Sequence, residues 1–307
     1  MLTRGILGAL GALVTLAVLA GCTTVTPSAK PVIAASGSDL VGKITVGGLE
    51  RTYLIHVPAD ASAENPLPLL VMFHGAGGDG TRAEVTTGFT ADSNDNDFIV
   101  AYPNGTAANS IAGELAWNAG NCCGLPRARD VDDVGFISGM LAQIEAKYAV
   151  DTSRVYLAGF SNGGMMTYRL ACQLPGTFAA IAVVSGALNY KDCVTDTPLP
   201  VLIVHGLADQ TVPYEGGETN PRTASRFGQW TNSSVVYSTN FWLQADGCDD
   251  DPVVTTDEVA STDTYTDCED GGSVEVVSIT NGTHVWPRIE TLGVDASGLI
   301  LKFFGLV

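Results

Sequence analysis

Short apolar runs, each bounded by turn residues, punctuate this chain and alternate with stretches of helical spacing. Leu67–Phe73, Phe98–Tyr102, Val155–Ala158, Ala180–Val184, Val201–His205 and Val274–Thr280 are nearly continuous in apolar residues, as strands buried on both faces are. Lys43–Val46 and Arg51–Val57 read as an antiparallel hairpin across Gly47-Gly48. Val134, Ile137, Leu141, Ile144 and Tyr148 recur at helical spacing and mark one amphipathic helix. Ala296–Phe304 reads as a closing helix. Strands alternating with helices call for an α/β fold, a mostly parallel sheet covered on both faces. The pattern holds no internal repeat, second catalytic domain or appended binding module.

The pentapeptide Gly159-Phe160-Ser161-Asn162-Gly163, with Gly164 behind it, sits between the run Val155–Ala158 and the helical segment 165–171. A serine on a sharp strand-to-helix turn needs glycines on both sides, because the backbone is strained and side chains would collide there. The turn lifts the hydroxyl above the sheet and sets the next residue's N–H at a helix N-terminus, where a developing oxyanion is stabilised.

A serine nucleophile needs a base, and the chain has four histidines. In this architecture the acid and then the base follow the serine in sequence. His56 and His74 precede Ser161. His205 ends an apolar strand directly before Gly206, where a backbone-turn role fits better. That leaves His284, in a loop after the last strand. Asp209 follows the strand 201–205, at the edge where open α/β sheets gather their chemistry, and is the expected acid. Asp196 and Asp246 are weaker alternatives, since neither directly follows a strong strand. A second oxyanion donor is expected in His74-Gly75-Ala76-Gly77-Gly78, where glycines let backbone N–H groups approach an oxygen closely. The N–H groups of Ala76 and Asn162 are the expected pair.

Six ordered motifs carry a family resemblance: His74-Gly75-Ala76-Gly77-Gly78; Cys122-Cys123-Gly124; Asp132-Asp133-Val134-Gly135-Phe136; Gly159 to Met166; His205-Gly206 with Asp209 and Val212-Pro213-Tyr214; and Gly282-Thr283-His284-Val285-Trp286-Pro287. Together they resemble the secreted polyhydroxybutyrate depolymerase and feruloyl esterase group, related to carbohydrate esterase family one. The resemblance runs from about Gly42 to the C-terminus. It implies an α/β-hydrolase fold with Ser161, Asp209 and His284 as a catalytic triad. Relatives often carry another glycine or a cysteine at Ala76 and a glycine at Thr283, differences at the rim of the site that bear on substrate preference.

The N-terminus changes the compartment. Arg4, the apolar stretch Ile6–Leu19 and Leu19-Ala20-Gly21-Cys22 form an export signal over residues 1–21 that looks like a bacterial lipoprotein signal. By that resemblance Cys22 is lipidated and anchors the protein in a membrane, on the cell surface or in the periplasm; an ordinary cleaved signal would release it instead. Residues 22–38, rich in Thr, Ser, Pro and Ala, read as a flexible tether, and residues 39–307 as the catalytic domain. Seven cysteines less Cys22 leave an even number for an oxidising compartment. Cys248 and Cys268 flank one excursion and are expected to pair. Cys122, Cys123, Cys172 and Cys193 supply two more bridges; a bond between adjacent Cys122 and Cys123 is not expected, because a small ring fits disulfide geometry poorly. Which of the two bonds Cys172 is left open.

Fifteen basic against 33 acidic side chains give a formal charge of −18, which argues against nucleic acid or anionic membrane surfaces as partners. Asp249-Asp250-Asp251 reads as a solvated loop rather than a calcium site, and no metal or cofactor is expected. The expected protein is a monomeric serine esterase working through an acyl-enzyme on feruloyl or acetyl esters of plant polysaccharide. A polyhydroxybutyrate or oligomer depolymerase is the alternative within the class, and a non-catalytic binding protein on a hydrolase scaffold the alternative outside it. Trp117, Tyr214 and Trp286 are candidates for an aromatic substrate wall.

Overall fold

The structure, a computed structural model, describes residues 38–59, 61–62 and 64–307. The expected signal, Cys22 and the tether up to residue 37 lie outside the described residues. Ten strands form the main sheet: β1 (Ser38–Val46), β2 (Leu49–Val57), β3 (Leu67–Phe73), β4 (Ile99–Pro103), β5 (Val150–Phe160), β6 (Ala180–Val184), β7 (Val201–Gly206), β8 (Val253–Thr256), β9 (Ala260–Tyr265) and β10 (Val274–Ile279). Their order across the sheet is β1-β2-β4-β3-β5-β6-β7-β10-β9-β8. The six strands from β4 to β10 run parallel, and an antiparallel hairpin extends each end. The α/β expectation holds, and each apolar run of the sequence lies on a strand.

Alternation along β3 explains why its residues are apolar throughout. Leu69, Val71 and Phe73 enter one core with Phe136, Ile137, Met140 and Ile144, which lie on α4 (Asp133–Lys147). Leu70 and Met72 enter the other core with Phe89, Ile300 and Leu301. Phe89 opens α2 (Phe89–Asn96), which follows α1 (Gly80–Thr87), and Ile300 belongs to the closing helix Ala296–Phe303. With both faces covered, no residue of β3 reaches water. The expected amphipathic helix is α4, which follows the short α3 (Gly124–Ala128) and has Tyr148 as its C-cap. Asp132 caps the other end, accepting from the Gly135 amide at 2.7 Å.

One buried ion pair ties the hairpin edge to α4. Arg51 on β2 donates to Asp133 Oδ1 at 2.7 Å, with both side chains almost wholly buried. Asp133 Oδ2 accepts the Asn118 amide at 2.7 Å, and the guanidinium also donates to the Asn104 carbonyl at 3.1 Å. It lies 4.1 Å over the Phe136 ring. Removing one partner leaves the other charge buried and unpaired, which costs far more than the pair itself contributes. Replacing Arg51 by Met is therefore expected to lower unfolding stability by about 3–5 kcal/mol, read by urea denaturation. A loss below about 1 kcal/mol, the range of an exposed pair, would refute the anchoring role.

Candidate active site

Ser161 stands alone between β5 and α5 (Asn162–Gln173). Its backbone is held at φ 55° and ψ −122°, a conformation that a non-glycine residue adopts only under constraint. The constraint is steric and local. The Ser161 amide donates to the Val184 carbonyl at the end of β6, at 2.9 Å. A Cβ on Gly159 would strike the Gly163 carbonyl and lie 2.6 Å from Thr167 Oγ1. One on Gly163 would strike the Phe73 carbonyl and lie 2.6 Å from that of His74. The glycines flanking the serine are thus required by close backbone packing.

Two other loops converge on the hydroxyl. His284, beyond β10, places Nε2 at 2.8 Å from Ser161 Oγ and Nδ1 at 2.7 Å from Asp209 Oδ2. A carboxylate only accepts, so Nδ1 carries the hydrogen and Nε2 is left to receive one from the serine. Asp209 follows β7, with Oδ1 accepting the amides of Thr211 and Val212 at 2.8 and 2.9 Å. Burial alone pushes the Asp209 carboxyl up, but the His284 hydrogen bond and charge and the Val212 amide together hold it below its ordinary value. Asp246, the weaker alternative, C-caps Val235–Ala245 and accepts the Leu199 amide. Burial pushes it up to about 7, the opposite of what an orienting carboxylate needs. Neither it nor Asp196 meets His284.

His205 braces the Asp209 loop. Its Nε2 donates to the Val212 carbonyl at 2.8 Å and lies 3.6 Å from Asp209 Oδ2. The loops of Asp209 and His284 are also locked together, because the Ala208 amide donates to the Gly282 carbonyl at 2.9 Å.

The His74–Gly78 loop passes directly beside Ser161: a Cβ on Gly75 would lie 3.3 Å from that of the serine. The Gly77 amide donates to the Leu115 carbonyl and the Gly78 amide to the Gly75 carbonyl, which fixes the turn around Ala76. Asn162 is the first residue of α5, so its amide has no intrahelical acceptor. Its side chain does something the sequence did not disclose. Oδ1 accepts the Trp117 amide at 2.8 Å and Nδ2 donates to the Trp117 carbonyl at 3.1 Å, pinning segment 115–118 to the turn.

The aromatic candidates separate. Trp117 is fully buried and donates from Nε1 to the His74 carbonyl at 3.0 Å, so it supports the loop from behind rather than forming a wall. Tyr214 commits its hydroxyl to Ser278 at 2.8 Å and stands edge-on to His205. Trp286 does border open space. With Met72, Ala83, Phe160 and the Gly75–Ala76 turn it lines a cavity of about 210 Å³.

The cysteines pair in part as expected. Cys248 bonds Cys268 as expected, whereas Cys172 bonds Cys193 and neither Cys122 nor Cys123. Cys122 and Cys123 bond each other across a cis peptide, contrary to expectation. With Cys193 taken by Cys172, the adjacent pair has no other cysteine partner among the described residues; both are buried, and Cys122 Sγ accepts from Asn162 Nδ2. Among the described residues no cluster of three or more His, Cys, Asp or Glu side chains suits a metal ion.

His74 is buried and held neutral. Nδ1 donates to the Gly75 carbonyl at 2.8 Å and Nε2 accepts the Gly105 amide at 3.0 Å. Burial, outweighing the Gly75 bond, lowers its pKa to about 4. The unfolded chain binds a proton here near pH 6.5 and the folded one only near 4, so this stabilisation is complete above 6.5 and is lost as pH falls toward 4. Unfolding free energy should drop across that window by roughly 3 kcal/mol from this group alone. His74→Gln should be less stable at pH 7 yet show a shallower slope; an unchanged slope would contradict the assignment.

Comparison with known proteins follows the same lines. The profile of a family described as Phospholipase/Carboxylesterase matches residues 59–239. The chain is 28% identical to feruloyl esterase B of Piromyces equi over 76% of its own length and 42% of that protein's. It is 30% identical to putative esterase NocK of Nocardia uniformis subsp. tsuyamanensis, over 82% of its own length and 75% of that protein's. It thus spans less than half of the first and three quarters of the second. The acetyl xylan esterase from Aspergillus awamori superposes with a TM-score of 0.62 at 18% identity, covering 87% of this chain and all of that one, which is a likeness of fold. On the matched profile, which covers more than half of the chain and includes Ser161, this protein belongs to the phospholipase/carboxylesterase family of α/β-hydrolases.

Proposed function

We propose that this protein is an exported serine esterase that cleaves feruloyl or acetyl esters of plant polysaccharide or their oligomers. The observation that carries the reading is the continuous hydrogen-bonded chain from Ser161 Oγ through His284 to Asp209, set beside a loop of backbone donors. Its relatives among feruloyl esterases support the substrate class, and the apolar stretch before Cys22 supports export. Tethering through a lipid on Cys22 is part of the same proposal.

In the proposed reaction His284 Nε2 takes the Ser161 proton as Oγ attacks the ester carbonyl. The amides of Ala76 and Asn162 receive the negative charge that develops on the carbonyl oxygen. Asp209, held ionised by its amide bonds and by His284, keeps the imidazole in the accepting tautomer and stabilises the imidazolium. His284 then protonates the leaving alcohol, and the same nitrogen later activates water to release the acid. The cavity lined by Phe160 and Trp286 adjoins Ala76, so it is the proposed seat of the acyl group, where Met72, Ala83, Phe160 and Trp286 suit a flat aromatic ring and Arg82 and Thr86 add polar contacts at its wall.

Ser161→Ala should lower kcat by roughly four to six orders of magnitude on every ester. The substrate class is read by kcat/KM on methyl ferulate, an acetylated xylo-oligosaccharide and a 3-hydroxybutyrate oligomer. A hundredfold preference for either of the first two supports the proposal. Preference for the third assigns a polyester depolymerase, and equal inertness of wild type and variant restores the binding-protein reading.

A further inference from the structure

Two contiguous clefts, of about 550 and 740 Å³, share Asn121, Arg127, Gln229 and Trp230 as common walls. They lie between the segment after β6, the short helix Gly124–Ala128 and residues 226–233. They abut the oxyanion loop, since a Cβ on Gly77 would lie 3.3 Å from the Phe227 ring and 3.5 Å from Arg226 Nη2.

The charge of these walls is out of keeping with the rest of the molecule. Arg127, Arg129, Arg226 and Lys191 line the clefts, and no Asp or Glu does, although acids outnumber bases 33 to 15 in the chain. Arg226 is paired with Glu114. Among the described residues the side chains of Arg127, Arg129 and Lys191 have neither an ion pair nor a hydrogen bond. At a net charge of −18 the molecule as a whole repels anions, so a site for one must carry its own local cations. For a neutral ligand, unpaired guanidinium groups bring no such advantage.

We propose that this cleft is the subsite for the alcohol portion of the substrate, and that it takes a glycan strand bearing anionic groups. The proposal rests on the esterase reading for the word substrate, but the cleft's binding chemistry is separable from it. A guanidinium presents paired donors that match a planar carboxylate, as on a uronic acid, and also grip a sulfate. The side-chain amides of Asn121 and Gln229 suit sugar hydroxyls, and the exposed Tyr237 ring offers a face to a sugar. With the acyl group seated in the Phe160–Trp286 cavity on the Ala76 side of the loop, this cleft beyond Gly77 is the adjoining space left for the rest of the ester.

The test titrates the full-length Ser161→Ala protein calorimetrically with three ester-free probes of equal length. These are a neutral xylo-oligosaccharide, one with a glucuronic acid branch, and one carrying a sulfate. At low ionic strength an acidic probe should bind about tenfold more tightly than the neutral one, and salt should close the gap. Arg127→Gln in the same background should remove most of the difference. Arg154→Gln, which alters an exposed arginine paired with Asp151 at the other end of β5, should leave it intact. Tighter binding of the uronate or of the sulfate supports the proposal and says which anion is meant. Equal affinity for all three, or a preference that survives Arg127→Gln, overturns it. The esterase reading is checked apart from this, by wild-type hydrolysis of p-nitrophenyl acetate, which Ser161→Ala should abolish and Arg154→Gln should leave unchanged. Loss of that hydrolysis in wild type would refute the esterase while leaving the binding result standing.

Discussion

The positive φ at Ser161 is the constraint on which the rest of the molecule depends. A side chain at φ 55° sits in a sparsely populated region and costs of order 1–3 kcal/mol, so the fold must over-determine it. It does so by packing backbone against backbone. The carbonyl of Gly163 lies where a Cβ of Gly159 would be, and the carbonyls of Phe73 and His74 lie where a Cβ of Gly163 would be. Four consecutive central strands, β4-β3-β5-β6, hold those carbonyls rigidly because β3 and β5 are buried on both faces at the serine end. Within the turn 159–164 the positive φ falls on Ser161 alone, and that residue is the one raised toward the His74–Gly78 loop.

Everything else in the site is a loop brought to that point and fixed there by buried polar contacts. Asn162 ties the Trp117 segment to the turn, and the Trp117 indole in turn holds the His74 carbonyl. His74 bridges its own loop to the Gly105 amide. Behind them Asp133 connects Asn118 to Arg51 and so to the hairpin edge. On the other side, His205 and the Ala208–Gly282 bond join the loops of Asp209 and His284. Each bond of such a network is costly to lose. The fixing of the loops matches what a general base would need, since His284 would have to keep two hydrogen bonds in line at once.

The sequence announced the parts that depend on local pattern. Leu67–Phe73 and Ala180–Val184 appear at the predicted residues because an apolar run flanked by turn residues has no other stable use. The serine turn was legible because its glycines stand between an apolar strand run and a helical segment, although the backbone that Gly163 packs against, that of Phe73 and His74, is distant in sequence. What depends on tertiary placement was not legible. The hairpin of Val253–Thr256 and Ala260–Tyr265 was hidden, since its residues are exposed or half-exposed and mostly polar, so no apolar period betrays it. Trp117 could not be told from a wall residue, because burial of an aromatic depends on what folds over it. The bond between Cys122 and Cys123 runs against the local geometric rule and becomes intelligible only once Cys172 is seen to hold Cys193. The cationic cleft is equally invisible in one dimension, because Arg127, Lys191 and Arg226 are scattered through an acidic chain.

The central claim is that Ser161 is a nucleophile made reactive by His284 and Asp209. The most direct measurement is the rate and site of covalent labelling by a fluorophosphonate, followed by intact mass and peptide mapping, in wild type and His284→Gln. The account predicts a single adduct on the peptide containing Ser161, formed rapidly in wild type and at least about a thousandfold more slowly without the imidazole. Labelling at another residue, or equal labelling of Ser161 in both proteins, would contradict it.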